Sequence, residues 1–533
     1  MKVTNLQKKY LLLPPLLVGM ILMLYSWRLS YPLSIDSPLD FLFNHISPLY
    51  WLSLPLLLAS LYMLATTSKN NVSRWVSVLG IVMSMRSLTY FYYLIPGSDS
   101  HYFRGLTEYF IATGDLDPTK LFHSYFQWPS FFVLNKVLSS LLGLRLVYCE
   151  FLLYTIFGVL FVTSLYIYAS KVYRSGYVAV LAFFIIDAYF FNWQWAPFSL
   201  AFGLLLLLFM LETHVAWKRE VTLAILTIFT GMSFMHVFVP LFFILYTTLM
   251  YIIDRNKRYA KLFLLTLIIY LTVQVSYAEA FFSTYFPVLT DIHLSTYDFG
   301  SVYKQTISGV VAAPLDAAAQ MFSRAVVIAT GVISGVGFII LLIRRKLRLV
   351  DRTIFLTGVI YVATGFLISI LGTRAIPIMA FPVSLGASYL FDSKFRSYFK
   401  YLFLILLILF TFIPLHSSHY LAITGRMQFQ SREAYQFTNF VVNHCNWSKH
   451  SFILSSTPDM NYLETRTAGH VNFESLASPS FPRKLEVYDY IVYSIGLEKN
   501  LLGRNSTIRS MFQNNKFNLV YNSGLSCLAI RDS

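Results

Sequence analysis

The most chemically suggestive stretch of the chain is Pro96-Gly97-Ser98-Asp99-Ser100-His101-Tyr102. Asp99 follows directly on an apolar run, 76–95, and aromatic residues surround it. A carboxylate at such a boundary can act as a general base or hold a metal ion. Glu108, Asp115 and Asp117 supply further carboxylates nearby, and His101 supplies a nitrogen ligand. The plain structural alternative is that Asp99 only caps a helix. Arg374, in Gly372-Thr373-Arg374-Ala375-Ile376-Pro377, occupies the short gap between two later apolar runs. Its guanidinium can grip a phosphate at two points; the alternative is an anchor that snorkels to lipid headgroups. His236, just before Pro240, can contact phosphate or orient Asp99, or be satisfied by a neighbouring helix. Lys304 and Arg324, with Asp291, His293 and Asp298, lie in or beside a long polar stretch.

The frame that must hold these side chains is apolar. The 533 residues are 56% hydrophobic and only 12% charged, where a soluble protein carries about 25% charge. A bilayer can absorb that much apolar surface. Apolar runs fall at 11–27, 52–66, 76–95, 146–169, 177–191, 200–211, 221–237, 239–253, 262–277, 326–343, 353–371, 376–391 and 401–415. Several are nearer 15 residues than the ~20 a bilayer asks for, so the expectation is about 13 transmembrane helices. Pro14 and Pro15 interrupt the first run and no small-residue cleavage site follows, which reads as a retained helix.

The net charge of +16 is unevenly spread. Alternate connections hold the basic residues: Lys69 and Arg74; Lys171 and Arg174; Lys218 and Arg219; Arg255 to Lys261; Arg344 to Arg352; Lys394 to Lys400. The intervening loops are poor in lysine and arginine. That pattern predicts a multi-pass protein of the cell membrane with a cytoplasmic N-terminus. A nucleic-acid partner would need the basic face on a soluble domain, and is excluded. Membrane lipids are the expected surroundings.

An odd number of spans puts residues 416–533 outside. There the apolar runs shorten to strand length, at 452–454, 490–493, 517–521 and 525–530, with helical stretches at 431–443 and 508–514. A small extracytoplasmic α/β domain is expected. Cys445 and Cys527 fall within it, either disulfide-linked or as free thiols, and Asn446 and Asn505 begin sequons there. Residues 1–415 form the membrane domain, with long exterior loops at 96–130 and 279–323. Residues 101–112 of the first loop read as a helix ended by Gly114, with Tyr102, Leu106, Tyr109 and Phe110 on one stripe. The apolar stretch 131–142 is short and closely followed by Arg145, so it reads as a re-entrant or interfacial helix. Within the spans, Arg86 is expected to pair with Asp187 or Glu150, because intramembrane charges are costly alone. Gln274 is a further polar group within a span.

The stretch Gly97-Ser98-Asp99-Ser100-His101-Tyr102-Phe103-Arg104, a helix ending at Gly114, then Tyr125-Phe126-Gln127-Trp128-Pro129 and an apolar helix ending at Leu142-Gly143 resembles the first exterior loop of GT-C fold glycosyltransferases. Those membrane enzymes use lipid-phosphate-linked sugars and include protein mannosyltransferases and aminoarabinose transferases. The resemblance implies a GT-C-like fold, a polyprenyl-phosphate sugar donor and a glycan, lipid or protein acceptor. It implies Asp99 as the catalytic acid residue and Arg374 as the phosphate contact. His101, Arg104, Glu108, His236 and Lys304 are further substrate-binding candidates. Several relatives carry two adjacent acids where Asp99 has serines on both sides, so a divalent cation is left open. No Trp-Trp-Asp-Tyr-Gly occurs, which argues against an oligosaccharyltransferase. The competing readings are a transporter or flippase of lipid-linked saccharides and a non-catalytic membrane scaffold. A transporter would favour repeated halves, and no repeat is evident.

Overall fold

The computed structural model describes residues 5–32, 46–92, 94–95, 98–119, 124–190, 195–214, 218–278, 314–367, 376–393, 396–410, 436, 440–442, 444, 452–455, 471–473, 490–494, 517–522 and 526–531. Among them run α1 (Asn5–Ser30), α2 (Pro48–Thr67), α3 (Asn71–Met85), α4 (Ser98–Thr113), α5 (Ser130–Leu142), α6 (Leu146–Val172), α7 (Gly176–Phe190) and α8 (Pro197–His214). They continue as α9 (Arg219–Ser233), α10 (Phe238–Asp254), α11 (Lys257–Tyr277), α12 (Pro314–Ile343), α13 (Leu349–Leu367), α14 (Ile376–Phe391) and α15 (Arg396–Leu409). Among the described residues, five segments are each long and apolar enough to cross a bilayer: Leu12–Ser30, Pro48–Thr67, Leu146–Val172, Lys257–Tyr277 and Ala325–Ile343. Shorter apolar helices pack among them. The chain is a multi-pass helical membrane protein.

Among the described residues, each apolar run read from the sequence lies mainly on a helix; the run 221–237 leaves its helix after Ser233, and a second run also stops early. The run 76–95 stops being α-helical at Arg86, whose N–H bonds back to Val82 and Met83, and a 3₁₀ turn, Ser87–Phe91, follows. Asp99 is therefore not on the same helix as Arg86. The Arg86 guanidinium lies over the rings of Phe184 and Tyr154, at 5.1 and 5.8 Å. The expected Arg86–Glu150 pair does not form, because Glu150 is bonded to Arg104. The side chain of Asp187 is outside the described residues.

The helices alternate in direction, so their connections gather at two ends. One end collects the basic connections. There Arg74 donates to the carbonyl of Arg174 at 3.4 Å, and Tyr166 to that of Asn71 at 3.1 Å. Ser175 and Ser388 exchange hydroxyl-to-carbonyl bonds at 3.2 and 2.8 Å, which fixes the start of α7 on the end of α14. Two buried carboxylates sit here. Glu212 accepts from Tyr246 at 3.1 Å and from Tyr259, and Asp351 accepts from Tyr168 and, at 2.9 and 3.0 Å, from Arg348. Burial lowers the proton affinity of Arg348, but the hydrogen bonds and charge of Asp351 together with Tyr168 outweigh it and hold the guanidinium above its ordinary value. The other end carries α4 and α5.

Near the C-terminus, β1 (Phe452–Ser455), β2 (Val471–Phe473), β3 (Tyr490–Ser494), β4 (Phe517–Asn522) and β5 (Ser526–Arg531) form one mixed sheet of order β2-β1-β3-β5-β4. β1 pairs in parallel with β2 and β3, while β5 runs antiparallel to β3 and β4. A register shift between Leu519 and Tyr521 marks a bulge in β4. Four strands lie where the short apolar runs predict them; β2, only three residues long, is not predicted. The expected helix at 508–514 and Cys445 lie outside the described residues.

Candidate active site at the loop end of the bundle

α4 is a 16-residue amphipathic helix, and Gly114, at φ +74°, ends it. That left-handed conformation is where glycine costs least. Its apolar face buries Phe103, Leu106 and Phe110. Phe103 meets the ring of Phe131 at 5.7 Å and of Tyr125 at 4.8 Å, edge to face. α5 is 13 residues, about 20 Å long, short of the ~30 Å hydrocarbon core. Gly143, at φ +62°, closes it. Its Lys136 donates to the Phe110 carbonyl at 3.4 Å and lies 4.2 Å over the Phe110 ring. A cation suits the C-terminal end of a helix, and this one fastens α5 to that end of α4. Trp128 donates its indole N–H to Gln274 on α11 at 3.3 Å, and Ser130 donates its backbone N–H to Phe234 at 3.1 Å. The loop is thus bolted to the bundle.

The first turn of α4 is held by polar groups rather than rings. Ser100 is fully buried, and its hydroxyl oxygen accepts the backbone N–H of Trp195 at 2.8 Å. Arg104 is fully buried too. Its Nε donates to both oxygens of Glu150, at 3.0 and 3.1 Å, and its Nη2 donates to Oε2 at 2.7 Å. Glu150 stands in the first turn of α6 and is itself fully buried. Nη1 of Arg104 contacts His101 Nδ1 at 2.9 Å. A guanidinium has only donors, so Nδ1 is the acceptor and the proton of a neutral His101 is on Nε2. Asp99 belongs to this same turn by its backbone; its side chain is outside the described residues.

The sequence-derived candidates are therefore partly gathered. Asp99, His101, Arg104 and Glu108 share α4. Arg104, expected to meet substrate, is instead engaged inside the protein with Glu150 and His101. Glu150 was expected beside Arg86 and turns out to be the centre of this cluster. Ser100 and Trp195 carried no sequence signal beyond their closeness to Asp99 and to a helix start. Glu108 is half-buried, one turn beyond Arg104, and its charge acts on Glu150. His236 is buried, accepts the N–H of Phe238 on Nδ1 at 3.1 Å, and meets the Phe198 ring edge-on at 5.3 Å. That bond satisfies an orphan donor at the start of α10, and Tyr361 donates to the Phe238 carbonyl there at 2.8 Å. Arg374 and Lys304, with Asp291, His293 and Asp298, lie outside the described residues, as does the side chain of Arg324. α14 begins two residues after Arg374. Among the described residues, no three His, Cys, Asp or Glu side chains group closely enough to hold a metal ion.

An apolar helical bundle with an amphipathic helix fastened at one end defines a multi-pass membrane protein. No protein-family profile matches the chain, and no curated protein matches it by sequence. Among solved structures it is similar to ArnT from Cupriavidus metallidurans in the apo state, at 10% identity and a TM-score of 0.39, over 86% of this chain and 96% of that one. It is similar also to ArnT from the same organism bound to undecaprenyl phosphate, at 10% identity and a TM-score of 0.36, over 86% of this chain and 97% of that one.

Proposed function

We propose that the chain is a membrane glycosyltransferase that moves a sugar from a polyprenyl-phosphate donor to an acceptor hydroxyl on the extracytoplasmic face. The observation that carries this reading is the anchoring of the turn bearing Asp99. Three buried side chains within five residues of one helix, Ser100, His101 and Arg104, are all hydrogen-bonded. A turn that only capped a loop helix has no need of such fastening, whereas a reacting carboxylate must be held within a fraction of an ångström. The resemblance of this loop to that of GT-C enzymes supports the same reading.

In the mechanism, Asp99 takes the proton of the acceptor hydroxyl. The acceptor oxygen attacks the anomeric carbon from the face opposite the phosphate. The bond from the anomeric carbon to the phosphate oxygen breaks with its electron pair, and polyprenyl phosphate leaves with inversion at the sugar. Arg374 stabilises the charge gathering on the phosphate. The basic end faces the cytoplasm, residues 279–323 flank the donor, and residues 416–533 form an extracytoplasmic α/β domain.

The test is Asp99→Asn in the full chain in lipid nanodiscs. The donor is the polyprenyl-lipid fraction of the source cells, metabolically labelled with radioactive glucose, and the acceptor is their envelope fraction. Transfer falls about 100-fold or more, the contribution of a positioned base, with the unfolding temperature unchanged. Wild-type transfer by the variant would refute the assignment.

A further inference from the structure

The Arg104–Glu150 pair invites a question of energetics. Both side chains are fully buried. Taking two charges out of water costs so much that replacing a buried pair with apolar residues of similar volume is often neutral or stabilising. Stability alone therefore does not account for it. A two-oxygen grip supplies something else, a single geometry. Three N–H to oxygen bonds between Arg104 and Glu150 allow α4 only one rotation about its axis against α6. The fourth bond, Nη1 to His101 Nδ1, leaves Nε2 as the ring's proton-bearing nitrogen. Ser100, accepting from Trp195, locks the residue between Asp99 and His101. Each tie bears on the turn that carries Asp99.

We infer that Arg104, Glu150 and His101 are positioning residues of the transfer site: the ion pair sets the register of α4 on α6 and holds His101 as a neutral Nε2–H donor two residues after Asp99. The inference rests on the reading of Asp99 as the base. None of the three touches the reacting atoms in this scheme. They act through the placement of the carboxylate, so their loss lowers turnover and leaves donor binding near wild type.

The experiment uses the full chain in nanodiscs, with the labelled lipid donor described above. The double variant Arg104→Met/Glu150→Leu removes both charges together. It is expected to unfold within a few degrees of wild type. Its KM for the labelled donor stays within about threefold, while kcat falls at least about tenfold, as slight misplacement of a reacting group requires. Modification of Asp99 by a hydrophobic carbodiimide, followed by mass spectrometry, changes rate several-fold. Arg104→Lys restores only part of kcat, because an ammonium cannot grip two oxygens at once. Wild-type kcat in a stably folded double variant overturns the inference. Should the double variant not fold, His101→Phe decides: about tenfold lower kcat at unchanged KM supports the inference, and unchanged kcat overturns it. The Asp99→Asn result separates the two levels. An active Asp99→Asn protein defeats the base reading and this inference with it. An inactive one beside a fully active double variant defeats the positioning role alone.

Discussion

Gly337 of α12 and Gly386 of α14 meet backbone to backbone. A Cβ on Gly337 would overlap the Gly386 carbonyl oxygen, and one on Gly386 would overlap the Ser334 carbonyl and the Phe338 nitrogen. Within a bilayer, small residues let helices approach closely enough for dispersion to hold them. The contact matters because α14 begins just after Arg374 and packs on both α12 and α7. Gly386→Ala must push the helices apart and is expected to destabilise the chain by about 1–3 kcal/mol, as overpacking does. Gly331→Ala and Gly335→Ala, on the same α12 with open space around them, keep wild-type stability or gain slightly. Thermal unfolding in detergent tests this, and equal melting of all three variants would contradict the crossing.

A second prediction concerns Glu212, which joins α8, α10 and α11 at the basic end. It accepts the hydroxyls of Tyr246 and Tyr259, with Arg258 at 3.7 Å. Charge-assisted hydrogen bonds are worth about 1.5–3 kcal/mol when broken. Tyr259→Phe is expected to cost that much in the wild type and clearly less in a Glu212→Leu background. A double-mutant cycle followed by unfolding gives the coupling. Additive effects would mean that the two groups do not interact.

Much of this was legible in the sequence, and the failures share a cause. Hydrophobic run length located the helices well, since a bilayer demands apolar stretches whatever their neighbours are. Gly114 and Gly143 marked the ends of α4 and α5, because few other residues accept positive φ cheaply. Pairing was harder. The sequence reading offered Glu150 only Arg86 as a cation, whereas the structure pairs it with Arg104. The helix stops at Arg86, whose guanidinium meets the rings of Phe184 and Tyr154, both remote in sequence. Arg104, a substrate-binding candidate in the sequence, is fully buried. Its burial depends on α6 lying beneath it, which no local pattern reveals.

Orientation is the third prediction. Among the described residues, basic connections meet at one end of the bundle, and that end is expected to face the cytoplasm. Thr119, on the α4 side, and Lys346, between α12 and α13, are both exposed. In a background free of the three native cysteines, Thr119→Cys should react with a membrane-impermeant maleimide on intact cells. Lys346→Cys should react only after permeabilisation. The opposite pattern would invert the topology and move the Asp99 site inside.

The last prediction separates two roles for Arg374. As a lipid-headgroup anchor it needs only a charge on a long apolar stem, which lysine supplies equally well. As a phosphate contact it needs the planar fork, which lysine lacks. Inhibition of transfer by added undecaprenyl phosphate reports the difference. Arg374→Lys is expected to weaken inhibition about tenfold, equivalent to about 1.4 kcal/mol, and Arg374→Ala further still. Both variants should unfold at the wild-type temperature. Unchanged inhibition in the lysine variant would assign Arg374 to the headgroup anchor and leave the departing phosphate to another cation, for which Lys304 in the second long loop is the next to test.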